Sequence, residues 1–600
     1  MLADQPGPGQ DGLVAELDAS LRDLAEAYDI ATDYWDWQGR HILVRPETVI
    51  GVLGGLGVAA STPEAMARAL DDLERLPWTR MLPTFLAIRE GRTAAVAVHV
   101  ADGERVDVWI DLESGEALHH LHQLENWASP RHIDGRWVGE ASFEVPNDLP
   151  MGYHTLRARS RDQEAAMPLV VTPQWLGFPE RMGSRRAWGL ATQLYSVRSE
   201  QSWGVGDLVD LTDLGVWSCA QHGADFVLIN PLHAAEPLPP LEPSPYLPTS
   251  RRFANPIYLR PERIPEYADL RRKRRAEIKA LRAQLDPHSA RIDRNAAWAA
   301  KRAALEIIFA VPRTPGRNAS LAAYREREGR GLEDYARWCA LAETYGTRFA
   351  DWPESLRSAR SPEVAAFAAD HAREIDFHCW LQWLLDEQLG LAQAESVRAG
   401  MALGIMHDLA VGVHPGGADA WRLQDVYAQG VQVGAPPDPY NQLGQDWSQP
   451  PWRPDALAEL GYQPFRDLIG AVLRHAGGVR VDHIIGMFRL WWIPTGRPAH
   501  EGTYVRYDHA ALIGVLALEA HRAGAVVVGE DLGVVPPEAR DFLRARGILG
   551  TSILWFEHGP DGGPLPAEAW REWCLASVTT HDLPPTAGYL AGDQVRLQHQ

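Results

Sequence analysis

Cysteine is scarce: four residues in a chain of 600. Cys219, Cys339, Cys379 and Cys574 are scattered and form no CxxC pair. That argues against a zinc ribbon or a disulfide framework and suits buried or free thiols in a reducing cytosol. Long apolar runs are also missing. The longest stretches, such as VIGVLGGLGVAA at 49–60, are too short to cross a bilayer, so no membrane partner is expected. The opening MLADQPGPGQDG lacks a basic n-region and an apolar h-region, so no secretory signal is read there and a cytoplasmic protein is expected. Basic residues are outnumbered. The 58 Lys and Arg against 79 Asp and Glu leave a net charge of −21, which disfavours nucleic acid and anionic membrane surfaces as partners. No HExxH, EF-hand loop or P-loop occurs, and no GxGxxG follows a strand-like run, so neither a metal nor an organic cofactor is expected.

What the chain does have is length, a globular composition and tryptophan. At 600 residues it exceeds what one core usually serves, so two or more domains are expected. Its 23 tryptophans suit a carbohydrate protein, because aromatic faces stack on sugars, although a core position is the commoner fate of any single Trp.

The hydrophobic period changes twice along the chain. Residues 1–88 form a mainly helical region: LVAELDASLRDLAEAYDI and STPEAMARALDDLERL carry apolar residues at helical spacing, and the latter opens on a Ser/Thr cap and Pro. Residues 89–172 break into short strands (AVAVHVA, RVDVWID, RWVGEASFEV, GYHTLRAR, MPLVVT), the pattern of a small β-sandwich. After a linker, TPQWLGFPERMGSRR, apolar strands alternate with helices. Strands are read at 187–194, 224–232, 402–413, 477–484, 525–532, 551–557 and 575–583. Near-continuous apolar strands joined by helices predict an α/β fold with a parallel sheet covered on both faces, and seven of them favour a (β/α)₈ TIM barrel spanning 173–600. A helical insertion fills about 260–400, and its Arg-rich runs read as solvated helix faces. No eighth strand follows the seventh, which suggests that the last strand is missing and the sequence is truncated.

Active-site residues of such barrels sit at the C-terminal ends of the strands. Four of these strands end in MHDLA (Asp408), RVDH (Asp482), VGEDLG (Glu530) and TTHDLPP (His581, Asp582). The steps between the acids are 74, 48 and 52 residues, so Asp482, Glu530 and Asp582 are expected to converge from successive strands. Any one acid could cap a helix or pair with an arginine. Three in one cleft push each other's pKa values apart, a cost that chemistry justifies. Paired carboxylates without metal-ligand spacing point to glycoside chemistry. One must stay ionised to attack or steady the anomeric carbon. Arg480, two residues before Asp482, shares its side of the strand and would hold Asp482 ionised and aimed. The other must be protonated to serve the leaving oxygen, and Glu530, behind AVVV, suits a raised pKa. Asp582, beside His581, would bond sugar hydroxyls and favour a distorted ring.

RVDH, GEDLG and TTHDLPPT, in this order, resemble the 4-alpha-glucanotransferase family (amylomaltase, MalQ, disproportionating enzyme; glycoside hydrolase family 77). So do QLYSVRSEQSWGVGDLVDL (193–211), SPYLPTSRRFANPIYL (244–259) and GAPPDPYNQLGQDWSQPPW (434–452), and the likeness spans about 190–600. It implies Asp482 as nucleophile, Glu530 as general acid/base and Asp582 as transition-state stabiliser. It further implies that Arg480 and His581 contact the sugar in the cleavage subsite and that Tyr246, Asp408, Gln445 and Trp447 line the glucan groove. Around Asp408 the family's usual Gly-Asp-Pro-Ile becomes His407-Asp408-Leu409-Ala410. TDYWDWQGR and DLPMGYHTL in the N-terminal region resemble longer bacterial members, and there the sandwich is either a carbohydrate-binding or a packing module. The implied reaction moves segments of α-1,4-glucan to the 4-OH of glucose or another glucan, with no cofactor. A hydrolase with the same carboxylates and a non-catalytic glycan-binding fragment are the rival readings.

Overall fold

Seven parallel strands organise the C-terminal two-thirds of the chain. The computed structural model describes residues 17–598 except 162, 184, 440 and 534. The readings made on residues 1–16, and the tyrosine at 440, lie outside the described residues. We label the parallel strands β1 (Gly189–Thr192), β2 (Phe226–Ile229), β3 (Gly404–Leu409), β4 (Gly478–Val481), β5 (Val526–Gly529), β6 (Gly550–Ile553) and β7 (Cys574–Ser577). β1 to β5 fall inside segments read as strands from their apolar runs, and β6 and β7 each begin one residue before theirs. β1 to β5 form one hydrogen-bonded sheet in chain order, and β6 and β7 form a second. A parallel bridge between Val528 and Leu549 links the two. The middle strands β3, β4 and β5 are buried at every residue, as strands covered on both faces must be, whereas β1 and β7 are partly exposed.

The helical insertion lies between β2 and β3, as read. Its helices are Arg272–Arg282, Arg294–Phe309, Pro315–Tyr345, Pro362–Asp370 and Ala372–Arg398. On the first of these only Ile278 is buried, so its arginines face solvent. The long Ala372–Arg398 helix buries Trp380, Trp383 and Leu384 in a core shared with β2 and with Trp203, Trp298 and Trp338. Cys339 and Cys379 are buried free thiols in that core.

The N-terminal region is less purely helical than its periodicity predicts. Helices Ala19–Ala27, Pro46–Gly55 and Pro63–Thr79 form, and the Thr62 hydroxyl caps the last by accepting from the Ala65 amide at 3.2 Å. Between the first two, Asp33–Trp35 and His41–Leu43 make a hairpin. The chain then bridges Ile30 to Val505, and Leu21, Leu24, Val49 and Leu53 enter the same core as β4 and Trp492. The sandwich is present. One sheet holds Leu86–Arg89, Gln163–Thr172, Gly152–Ser160 and Asp107–Asp111, and the other is built on Ala94–Ala101 and Arg136–Val145. Val98, Ile110, Leu156 and Leu169 fill the space between them. It docks on the helix His509–Ala523, where the Tyr153 hydroxyl donates to Glu519 at 2.7 Å.

One element went unread. The apolar run 477–492 is not a single strand. It leaves β4, turns through Ile484–Met487 and re-enters as Arg489–Pro494, inside an antiparallel sheet with Gln445–Gln449, Val431–Ala435 and Thr503–Arg506. This sheet is built from loops that follow β3 and β4.

Candidate active site

The parallel register brings the first acids together. On adjacent strands Asp408 lies opposite Arg480, and Arg480 opposite Val528. The ladder continues past the strand ends: the Asp482 amide donates to Leu409 at 3.0 Å, and the Glu530 amide to Val481 at 2.9 Å. Asp482 and Glu530 thus each occupy the first position beyond their strands. Gly529, just before Glu530, is required by close approach, since a Cβ there would sit 2.6 Å from the Ile484 side chain.

Arg480 is the hub. Only 6% of it is exposed, and its two terminal nitrogens donate to Asp408 Oδ1 at 2.7 Å and Asp482 Oδ1 at 3.0 Å. Burial works against its charge, but the two carboxylates more than compensate and raise its pKa. Asp408 is buried inside β3 rather than standing at the strand end. Burial pushes its carboxyl up, while Arg480 pulls against that rise. Its other oxygen accepts from the Tyr246 hydroxyl at 2.7 Å. Burial and the Asp408 charge raise the Tyr246 pKa, so the phenol stays a neutral donor.

Glu530 has the environment the apolar run AVVV predicts. Burial, then the charge of Asp482, push its carboxyl up to about 7. Two amides limit the rise: His483 N–H donates to Oε2 at 3.0 Å and Leu532 N–H to Oε1 at 2.7 Å. Its neighbour Asp531 is turned away to Arg571, at 2.6 and 2.7 Å, and to the Thr551 amide, and serves structure.

Asp582 requires a correction. It does not follow the strand next to that of Glu530, because β6 intervenes; the 52-residue step spans two units, not one. Asp582 lies in the loop after β7, five residues beyond Ser577, with its side chain 76% exposed. Its Oδ1 lies 3.3 Å from His581 Nε2. The loop nevertheless reaches the centre through His581, whose ring stacks on Tyr246 with centroids 3.8 Å apart and planes 16° apart.

Gln445 and Trp447 stand on the antiparallel sheet. The Trp447 indole donates to Gln445 at 3.3 Å and meets the His483 ring edge to face, centroids 5.3 Å apart. Two residues that position these groups were not singled out from the sequence. Gln449, inside the 434–452 motif, donates to the Tyr246 carbonyl at 3.0 Å. His483 holds Glu530 from a left-handed backbone, φ 49°, which no pattern in RVDH announces. Among the described residues no group of three His, Cys, Asp or Glu is arranged to hold a metal.

The family model described as 4-alpha-glucanotransferase matches residues 192–600, and that of the MalQ N-terminal beta sandwich domain matches 81–173. The chain belongs to the 4-alpha-glucanotransferase family. It is 60% identical over 598 residues to the 4-alpha-glucanotransferase of Mycobacterium tuberculosis, covering 98% of this chain and 82% of the relative. The Haemophilus influenzae 4-alpha-glucanotransferase is 36% identical over 457 residues, covering 73% of this chain and 65% of that protein. The crystal structure of amylomaltase from Corynebacterium glutamicum superposes with a TM-score of 0.89 at 49% identity, covering 97% of this chain and 81% of that one. This family and this structural neighbour carry a TIM-barrel-type α/β fold, to which the seven parallel strands conform. The chain is therefore a transglycosylating enzyme, a 4-alpha-glucanotransferase, and the hydrolase and non-catalytic readings are disfavoured. No helix among the described residues is long and apolar enough to cross a membrane.

Proposed function

We propose that the enzyme performs a retaining double displacement on α-1,4-glucans. Asp482 attacks the anomeric carbon of a maltooligosaccharide donor, and Glu530 protonates the departing oligosaccharide. The C–O bond to the leaving glucan breaks as the bond to the Asp482 oxygen forms. Glu530, now a carboxylate, takes the proton from the 4-OH of an acceptor glucan or glucose, whose oxygen displaces Asp482 and restores the α-linkage. Asp582 stabilises the oxocarbenium-like transition state, which requires its exposed side chain to close on the sugar. Arg480 and His581 contact the sugar in the cleavage subsite, and Tyr246, Asp408, Gln445 and Trp447 line the groove. Transfer wins over hydrolysis where the bound acceptor keeps water out.

The observation that carries this reading is the pairing of unlike carboxylates on adjacent strands. Asp482 is bonded to Arg480, and Glu530 beside it is raised to about 7. A carboxyl with a raised pKa beside an acid bonded to a guanidinium is the arrangement that an acid/base and a nucleophile need. We read residues 173–600 as the catalytic (β/α)₈ unit, 1–88 as an N-terminal helical region and 89–172 as the sandwich, in a cytoplasmic protein with no nucleic-acid or membrane partner. Incubation with maltotriose tests the function. Longer maltooligosaccharides plus glucose are expected, and Asp482→Asn is expected to form none. Glucose and maltose without longer products would overturn transfer, and a ladder persisting in Asp482→Asn would overturn the nucleophile.

A further inference from the structure

His483 combines two unusual features next to the Glu530 carboxyl. Its backbone is left-handed, φ 49°, a region that non-glycine residues enter only under strain. A fold that keeps such strain uses it or holds it by surrounding contacts. Here both occur. The conformation turns the chain sharply between β4 and Ile484, and Ile484 N–H then donates to the Glu530 carbonyl at 3.1 Å. In the same turn His483 N–H donates to Glu530 Oε2 at 3.0 Å. The imidazole is gripped from the other side by the edge-to-face contact with Trp447. Dense packing, with Arg489 nearby, pushes the ring pKa down to about 4, so the ring is neutral and adds no charge near Glu530 at neutral pH.

We propose that His483 is a positioning residue whose left-handed backbone aims its N–H at the Glu530 carboxyl and so sets the upper edge of the enzyme's working pH. This rests on the assignment of Glu530 as the acid/base. An amide bonded to a carboxylate favours the ionised form. The groups that face Glu530 are Asp482, which favours protonation, from the residue just past β4, and Arg480, which opposes it, from β4; the Leu532 amide also opposes it. Asp531 faces Arg571 instead. Losing the His483 amide removes one of the few restraints on the proton. Glu530 would then stay protonated to higher pH, and the fall of kcat/KM on the alkaline side would move up by about one unit.

The test is the pH profile of kcat/KM for maltotriose in four variants. His483→Val, β-branched and unable to rest in this backbone region, and the milder His483→Ala are expected to move the alkaline limb upward. His483→Asn tolerates the left-handed backbone and keeps the amide, so its limb should stay where the parent's is, although Trp447 loses its ring partner. If Val does not fold, the Ala and Asn pair carries the comparison. A merely structural role would lower kcat/KM alike at every pH. An unmoved limb in every folded Val or Ala variant, or an Asn limb displaced as far as theirs, would overturn the proposal. Glu530→Gln separates the two readings: if it keeps transfer, the acid/base assignment fails; if it is inactive while the limbs stay fixed, only the role of His483 fails.

Discussion

Replacing Arg480 by methionine tests the electrostatic core of the site. Arg480 is 6% exposed and its partner Asp408 5%, and the guanidinium joins Asp408 to Asp482. Methionine keeps much of the volume but removes the charge and both bonds. Stranding one partner of a buried pair costs about 3–5 kcal/mol, and here two carboxylates are stranded. The loss should depend on pH with a definite sign. Burial already holds the Asp408 carboxyl above its unfolded value, against the pull of Arg480. A carboxyl with a raised folded pKa binds protons better when folded, so its penalty is absent below about pH 4 and grows as pH rises through the folded value. Without Arg480 that value climbs further. The variant should therefore lie close to the parent in acid and fall furthest behind at neutral pH. The assay is the urea midpoint followed by tryptophan fluorescence at pH 4.5 and 7.5. Arg480→Lys restores the charge but not the two-pronged bond and should recover part of the loss. An equal deficit at both pH values would refute the reasoning, because it would show that Arg480 contributes packing rather than charge compensation.

Tyr246→Phe keeps the ring stacked on His581 and deletes the bond to Asp408, so kcat/KM for maltotriose should drop about tenfold, whereas Tyr246→Ala also frees the His581–Asp582 loop and should drop further. Glu530→Gln should abolish transfer yet stabilise the fold in alkali. With its pKa raised from 4.5 to about 7, Glu530 costs stability once pH exceeds its unfolded value, so Tm of the variant should exceed the parent's at pH 8 by an amount worth about 3 kcal/mol, with the gap closing near pH 4. Gly529→Ala places a Cβ 2.6 Å from Ile484; a loss of about 1–3 kcal/mol is expected by urea denaturation, with activity lost as the Glu530 turn shifts.

The middle parallel strands were legible because both-face burial writes itself as unbroken apolar runs, such as AVVVG before Glu530. The insertion and the sandwich were legible from a change of period. The hairpin at Asp33–Leu43 was not, since three-residue strands lie below what a period can reveal. Nor was the split of 477–492. FRLWWIP is as apolar as the strand before it, and the left-handed His483 with the turn Ile484–Met487 separates them. Spacing placed Asp482 and Glu530 on adjacent strands correctly but miscounted Asp582, because the strand read at 551–557 lies between Glu530 and Asp582 and the 52-residue step spans two units. Asp408 was visible as an acid, but its bond to Arg480 depends on register between β3 and β4, 72 residues apart, and its bond to Tyr246 on a loop 162 residues away in the chain.

The register also supports the proposal that Asp482 is the group that reacts first. It stands between two neighbours of opposite effect: Arg480, which shares its charge with Asp408, and Glu530, which is held protonated partly by the charge of Asp482. On the proposed mechanism, attack turns the Asp482 carboxylate into a neutral ester. The Coulombic push on Glu530 then disappears, while the pull of Arg480 and the amides of His483 and Leu532 remain. The pKa of Glu530 must fall at the moment when its task changes from giving a proton to taking one. Had the carboxylates been paired the other way round, with Arg480 bonded to Glu530, the acid would be ionised before the first step and the same change of charge could not drive the second.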